Sequence, residues 1–247
     1  MANVLLADSV TVKFGGVTAL ENVHFEVERG ELLSLIGPNG AGKTTLLKTI
    51  TGMVTPVSAV LKLHNRDISK LPIHKRIRLG LALTHQIVRP FKSLTVLENV
   101  AFAAGFRKVR HIIPSLILWN RVKEKEKAAR FLEKLGIEEF RDRAVSNLPL
   151  GVLKRLEVAR ALALEPDILL LDEPLAGLNS QEAGTLADTI KSISKQGMTI
   201  VMIEHNLSEV IRISDRIYVL DNGRNLSHGD PKTVMNQPEV RAAYMGV

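Results

Sequence analysis

Leu32-Leu33-Ser34-Leu35-Ile36-Gly37-Pro38-Asn39-Gly40-Ala41-Gly42-Lys43-Thr44 joins an apolar run to the pattern G-x-x-x-x-G-K-[ST]. The pattern has meaning between a strand and a helix, and here the apolar run precedes it and the helix-forming Thr45-Leu46-Leu47-Lys48-Thr49-Ile50 follows it. Glycines without side chains let backbone N–H groups curl around the β- and γ-phosphates of a nucleotide. The helix offers its positive end, and Lys43 supplies a mobile cation. Thr44 is placed to set its hydroxyl on a magnesium ion. At ordinary amino-acid frequencies the four fixed positions arise by chance in roughly one chain in a hundred of this length. Nucleotide binding is the first expectation, with Gly37, Pro38, Asn39, Gly40, Ala41, Gly42, Lys43, Thr44 and Thr45 as candidate contacts.

The 247 residues suffice for one large domain or a domain with a subdomain. The longest apolar stretches fall far short of the roughly 20 residues that cross a bilayer, and no repeat at a solenoid period is present. The absence of cysteine excludes disulfides, thiolate chemistry and cysteine-ligated zinc. The N-terminus lacks a basic, apolar, small-residue export signal, so a cytosolic location is expected. The formal charge of +7 would suit nucleic acid, an anionic membrane face or nucleotide phosphates. Basic residues are interspersed with acidic ones rather than clustered, and a nucleic-acid partner is not expected.

Short β-rich segments dominate the beginning: Val10 to Phe14, Val23 to Val27, Leu32 to Ile36 and Ala59 to Leu63. In the second half the apolar runs Ile168 to Leu171, Thr199 to Ile203 and Ile217 to Leu220 read as buried strands. Gln181 to Ser194 and Leu207 to Ile213 read as amphipathic helices. This alternation is an α/β signature. From Phe91 to Leu164 the period is helical, which predicts a helical subdomain (91–164) inserted into an α/β core formed by residues 1–90 and 165–247. Within it Arg121 to Leu135 stops at Gly136, and the Lys-Glu alternation from Lys123 to Lys127 reads as a solvated helix face.

Ile168-Leu169-Leu170-Leu171-Asp172-Glu173 is an apolar strand ending in two carboxylates. A buried strand carries Asp172 to its carboxyl end, where it can hold magnesium through water. Glu173, one residue on, can reach the water that attacks the γ-phosphate. With both motifs in place, the chain resembles the ATP-binding cassette (ABC) family of transport ATPases over essentially its full length. Gln86, in Leu83-Thr84-His85-Gln86, matches the family's glutamine loop. His205, in Ile203-Glu204-His205, matches its switch histidine, and Phe14, in Lys13-Phe14-Gly15, matches the aromatic that stacks on adenine. The resemblance implies a P-loop NTPase (RecA-like) core with an antiparallel β subdomain and an inserted helical subdomain. It also implies binding of ATP and Mg2+, with Thr44, Gln86 and Asp172 toward the metal, Glu173 polarising the attacking water and His205 holding it against the γ-phosphate.

Within the family the chain is most similar to the ATPases of bacterial branched-chain or hydrophobic amino-acid importers. Phe91-Lys92-Ser93-Leu94-Thr95-Val96-Leu97-Glu98-Asn99-Val100, Ala176-Gly177-Leu178-Asn179, Ile203-Glu204-His205-Asn206, Ile213 to Val219 and Tyr244-Met245-Gly246 carry that similarity. The ATPase of lipopolysaccharide export shares parts of the pattern and is the alternative. A nonhydrolysing regulatory cassette and a DNA-associated ABC ATPase are readings of a different class, the latter set against the lack of heptads and cysteines. Family membership implies a second ATPase subunit, identical or different, transmembrane permease subunits and a periplasmic substrate-binding protein. Its place would be peripheral, on the cytoplasmic side of the inner membrane. The apolar patch His111 to Trp119, flanked by Arg107, Lys108, Arg110 and Arg121, reads as buried in the subdomain or as a contact to the membrane subunit or lipid headgroups.

The family's signature, close to L-S-G-G-Q, contacts the partner's ATP across a head-to-tail dimer. This chain has Leu148-Pro149-Leu150-Gly151-Val152 there, recognisable by the helix Lys154 to Leu162 that follows. The serine hydroxyl is gone, Pro149 removes a backbone donor and Leu150 adds bulk, while Pro149 suits a helix start and Gly151 N–H can still face phosphate. Asn179 replaces the aspartate common in the interface loop. In a heteromeric complex the site built on Lys43 and Glu173 is therefore expected to carry most of the hydrolysis, because the partner's signature completes it.

Overall fold

The computed structural model describes residues 3–84, 89–105 and 122–245; Gln86 and the patch His111 to Trp119 lie outside them. Strand β1 (Asn3–Phe14) turns at Gly15-Gly16 into β2 (Val17–Glu28), and the two pair antiparallel with Phe14 opposite Val17. β3 (Leu32–Ile36), helix α1 (Lys43–Thr51), β4 (Ser58–Leu63), β5 (Arg66–Asp67), α2 (Ile73–Arg78) and β6 (Leu81–Leu83) follow. α3 (Val96–Ala104), α4 (Val122–Lys134) and α5 (Leu150–Ala163) precede β7 (Ile168–Asp172). The chain closes with α6 (Ser180–Lys195), β8 (Thr199–Ile203), α7 (Leu207–Ile213), β9 (Arg216–Asp221), β10 (Arg224–Gly229), α8 (Pro231–Met235) and α9 (Pro238–Met245).

Two sheets result, one antiparallel in the order β2-β1-β4-β5 and one of six strands in the order β10-β9-β3-β8-β7-β6. All neighbours in the second are parallel except the edge strand β10. This is the expected α/β class. Strands β3, β7 and β8 are buried along their whole length, so their alternate residues feed two different cores. Leu32, Ile36, Leu169, Leu171, Ile200 and Met202 face one core, together with α3 to α7. Leu33, Leu35, Leu170, Val201 and Ile203 face the other, against α1 and the antiparallel sheet.

The first two strands start earlier than their side-chain alternation predicts. β1 and β2 begin well before Val10 and Val23, and the residues just ahead of those positions, Ser9 (φ 52°) and Asn22 (φ 49°), are left-handed and sit at register shifts. A bulge breaks the alternation by which a strand is recognised. Lys123, Lys125 and Glu126 are exposed, as a solvated face requires, but the face is not solvated throughout. Glu124 is buried, because it begins the stripe Glu124, Ala128, Leu132 that α4 turns toward the core, while Lys127 pairs with Glu165 at 2.7 Å. Among the described residues no helix is long and apolar enough to cross a membrane.

Helix α1 is held at its far end by a buried guanidinium. Arg76 donates to Thr49 O (2.8 Å), Ile50 O (2.7 Å), Leu71 O (2.8 Å) and Ser69 O (3.0 Å), so it ties carbonyls of the last turn of α1 to those of the segment Ser69 to Leu71. Arg76→Met strands these acceptors in the interior and is expected to cost about 3 kcal/mol. Denaturant unfolding measures the loss, and an unmoved midpoint would mean that water replaces the guanidinium.

Candidate functional site

Past Ile36 the chain bends through Gly37 to Gly42 and enters α1 at Lys43. Gly37 (φ +144°) lies so close to β9 that a Cβ there would stand 2.0 Å from Leu220 O. At Gly42 (φ +97°) a Cβ would stand 2.5 Å from Leu20 Cδ2 and 2.8 Å from Ala19 O. The loop thus threads between the parallel sheet and the β1–β2 hairpin, where only glycine fits.

α1 starts with no side-chain cap and no acidic residue in its first turn. By contrast Thr95, Asn179, Asn206 and Asp230 cap α3, α6, α7 and α8. The N–H groups at the start of α1 face a cleft of about 210 Å³ lined by Ala19, Asn39 to Thr45, Glu173 and His205. Uncapped donors at the positive end of a helix, in a cleft of this size, suit a phosphate chain. Lys43 Nζ folds back to donate to Gly37 O (2.7 Å) and Pro38 O (2.8 Å). Burial pushes its pKa down, and the negative charges of Glu173 and Asp172 oppose that shift.

Strands β7 and β8 deliver the carboxylates. Thr44 Oγ1 donates to Asp172 Oδ1 at 3.4 Å, and the Asp172 N–H donates to Thr84 Oγ1 at 3.3 Å. Glu173 leaves the strand in the left-handed region (φ 51°) with its N–H on Ile203 O, and its Oε1 lies 3.1 Å from His205 Nε2. No group of three or more metal-ligating side chains exists among the described residues. Thr44 and Asp172 instead supply a hydroxyl and a carboxylate side by side. That donor set fits Mg2+, which takes few protein oxygens and shares phosphate oxygens and water.

The signature segment lies elsewhere. Leu148 and Pro149 are extended, and α5 starts at Leu150, which is 44% exposed. Leu150 Cδ2 would stand 2.9 Å from a Cβ at Gly177, and Gly151 lies against the Glu182 carboxylate. Leu150 thus meets the loop Ala176 to Asn179 at Gly177 and Gly151 meets the start of α6, while none of Leu148, Pro149, Leu150, Gly151 and Val152 lines the Lys43 cleft. Phe14, 53% exposed near the hairpin tip, is not among the cleft's lining residues, although Ala19 of the same hairpin is. Gln86 falls outside the described residues.

Two charged residues of the site were missed in the sequence. Glu204 is buried, accepts the N–H of Leu175 (2.6 Å) and of His205 (3.1 Å), and so ties the turn after Glu173 to the one bearing His205. Burial pushes its carboxyl pKa up, and the backbone donors oppose this. Its signal was an acidic residue directly after the apolar run Ile200 to Ile203 of β8. Lys154 is also buried and donates from α5 to Glu173 O at 2.9 Å; nothing in its polar surroundings, Lys154-Arg155, marked it.

The profile of the ABC transporter family matches residues 20–176. The chain is 39% identical to the high-affinity branched-chain amino acid transport ATP-binding protein LivG of Salmonella typhimurium, over 100% of this chain and 99% of that protein. It is 36% identical to BraF of Pseudomonas aeruginosa, a protein of the same description, over 98% of each. Its structure resembles the ADP conformation of MJ1267, an ATP-binding cassette of an ABC transporter, with a TM-score of 0.87, 29% identity and 100% of both chains covered. The chain belongs to the ABC transporter family, as an ATP-binding cassette.

Gly37→Ala drives a Cβ into a carbonyl in a conformation that L-residues avoid, and is expected to destabilise by at least about 3 kcal/mol. Gly184→Ala, in mid-helix with open space around it, should instead stabilise by about 0.5–1 kcal/mol. Thermal and denaturant unfolding of the two variants checks both signs.

Proposed function

We propose that the chain is the ATP-hydrolysing subunit of a membrane importer for branched-chain or other hydrophobic amino acids. The carrying observation is that Glu173 Oε1, 3.1 Å from His205 Nε2, faces the cleft headed by the uncapped start of α1. The full-length relatives with that transport role support the cargo class.

The loop amides and Lys43 grip the β- and γ-phosphates, the ammonium exchanging the carbonyls of Gly37 and Pro38 for phosphate oxygens. Thr44, Asp172 and Gln86 would hold magnesium, which when bound neutralises charge on the phosphate oxygens. Glu173 accepts a proton from the attacking water, and His205 fixes that water against the γ-phosphate. Phe14 stacks on the adenine ring. A second ATPase subunit supplies its signature to this cleft, while Leu148 to Val152 face the nucleotide of that subunit. Residues 1–90 and 165–247 form the core and 91–164 the helical subdomain. There a groove between Phe91, Phe102, Leu164 and Arg160, with Phe102 50% exposed, offers the permease an apolar seat beside the Arg160–Glu157 ion pair. A periplasmic binding protein delivers the cargo, and the subunit sits peripherally on the cytoplasmic face.

Glu173→Gln is expected to lower ATP turnover of the assembled complex by roughly 100-fold or more while nucleotide still binds. Lys43→Ala should weaken nucleotide binding by roughly tenfold or more, as expected for loss of a charge-assisted contact. Turnover that survives Glu173→Gln would place the main hydrolytic site on the partner subunit. Uptake of labelled leucine into vesicles carrying the permease tests the cargo, and uptake indifferent to the Glu173→Gln subunit would refute it.

A further inference from the structure

Glu173 is a non-glycine residue in the left-handed region, so its backbone needs outside support to stay there. Support comes from three sides. Within its own turn, Glu173 O accepts the Ala176 N–H at 3.3 Å. From β8, Ile203 O takes the Glu173 N–H at 3.0 Å, and from α5, the Lys154 ammonium donates to Glu173 O at 2.9 Å. Lys154 is 5% exposed, so its ammonium sits in the interior. The carboxylates of Glu204, Glu173, Asp172 and Glu157 lie around it and compensate the charge.

Lys154 stands four positions after Leu150, the first residue of α5 and the exposed tip of the signature segment. Along a helix that is about 6 Å of rigid rise. The same helix start packs on Gly177, in the loop that follows Glu173. A displacement of the start of α5 therefore reaches the Glu173 carbonyl through one side chain, and the Glu173 carboxylate through one residue.

We propose that Lys154 is a positioning residue that fixes the Glu173 carboxylate to the signature helix, so that the seating of α5 against a second subunit is registered at this chain's own hydrolytic site. The inference rests on the reading of Glu173 given above. Lys154 does not line the Lys43 cleft, and its effect passes through the Glu173 backbone.

The test uses the assembled transporter with Lys154→Met, which keeps the apolar stem, and Lys154→Arg, which keeps the donor. Misplacing a catalytic group by a fraction of an ångström to an ångström costs up to about 100-fold in rate, so Lys154→Met should lower kcat roughly 10- to 100-fold. KM and nucleotide affinity should stay within about twofold of wild type, and Lys154→Arg should restore most of the rate. On a Glu173→Gln background, Lys154→Met should add no further loss in single-turnover assays, because the two act as a unit. Should Lys154→Met fail to assemble, Lys154→Gln takes its place with the same expectations. A kcat within twofold of wild type, a parallel loss of nucleotide affinity, or an additive loss in the double variant would overturn the proposal while leaving Glu173 in its role. Full turnover in Glu173→Gln alone would overturn the reading of Glu173 and this inference with it.

Discussion

The two-sided burial of β3, β7 and β8 is the constraint on which the site depends. Each strand supplies alternate side chains to two cores, so none of the three can slide by one residue without exchanging every partner. A fully buried leucine or isoleucine contributes roughly 1.5–3 kcal/mol, and such residues make up most of these strands. Their carboxyl ends are thereby fixed relative to one another. The phosphate loop leaves β3, Asp172 and Glu173 end β7, and His205 follows β8. The chemistry is thus set out on neighbouring strand ends before any ligand arrives.

Around those ends, polar groups do the finer placement. The N–H of Glu173 is taken by β8, its carbonyl by Lys154 of α5 and by the Ala176 N–H, and Glu204 bridges the two turns. The Leu175 bond to Glu204 is buried and the bonds of Lys154 and His205 are part-buried, and with burial a hydrogen bond to a charged group becomes stronger and costlier to lose. This explains how a glutamate can remain in a left-handed conformation at the mouth of a cleft.

What was legible in the sequence was local. The loop from Gly37 to Thr44, the apolar run before Asp172 and Glu173, and the strand before His205 are contiguous patterns, and the structure gathers them at one cleft. What was not legible arises from contacts distant in sequence. Lys154 and Glu124 look solvent-facing because their neighbours are charged, yet both are buried by the helix face on which they fall. Edge strand β10, Arg224 to Gly229, is too polar to be recognised as a strand and owes its form to pairing with β9. The bulges at Ser9 and Asn22 hid half of the first hairpin in the same way.

The position of Lys43 bears on the thermodynamics of ligand entry. Its ammonium already holds two carbonyls of its own loop, so the loop is cross-braced and needs no ordering when a phosphate chain arrives. Entry is then an exchange of acceptors rather than a folding event, with little conformational entropy lost. Affinity becomes the difference between two sets of charge-assisted hydrogen bonds, and release of product restores the first set. A loop built this way takes up and gives back its ligand without passing through a disordered state.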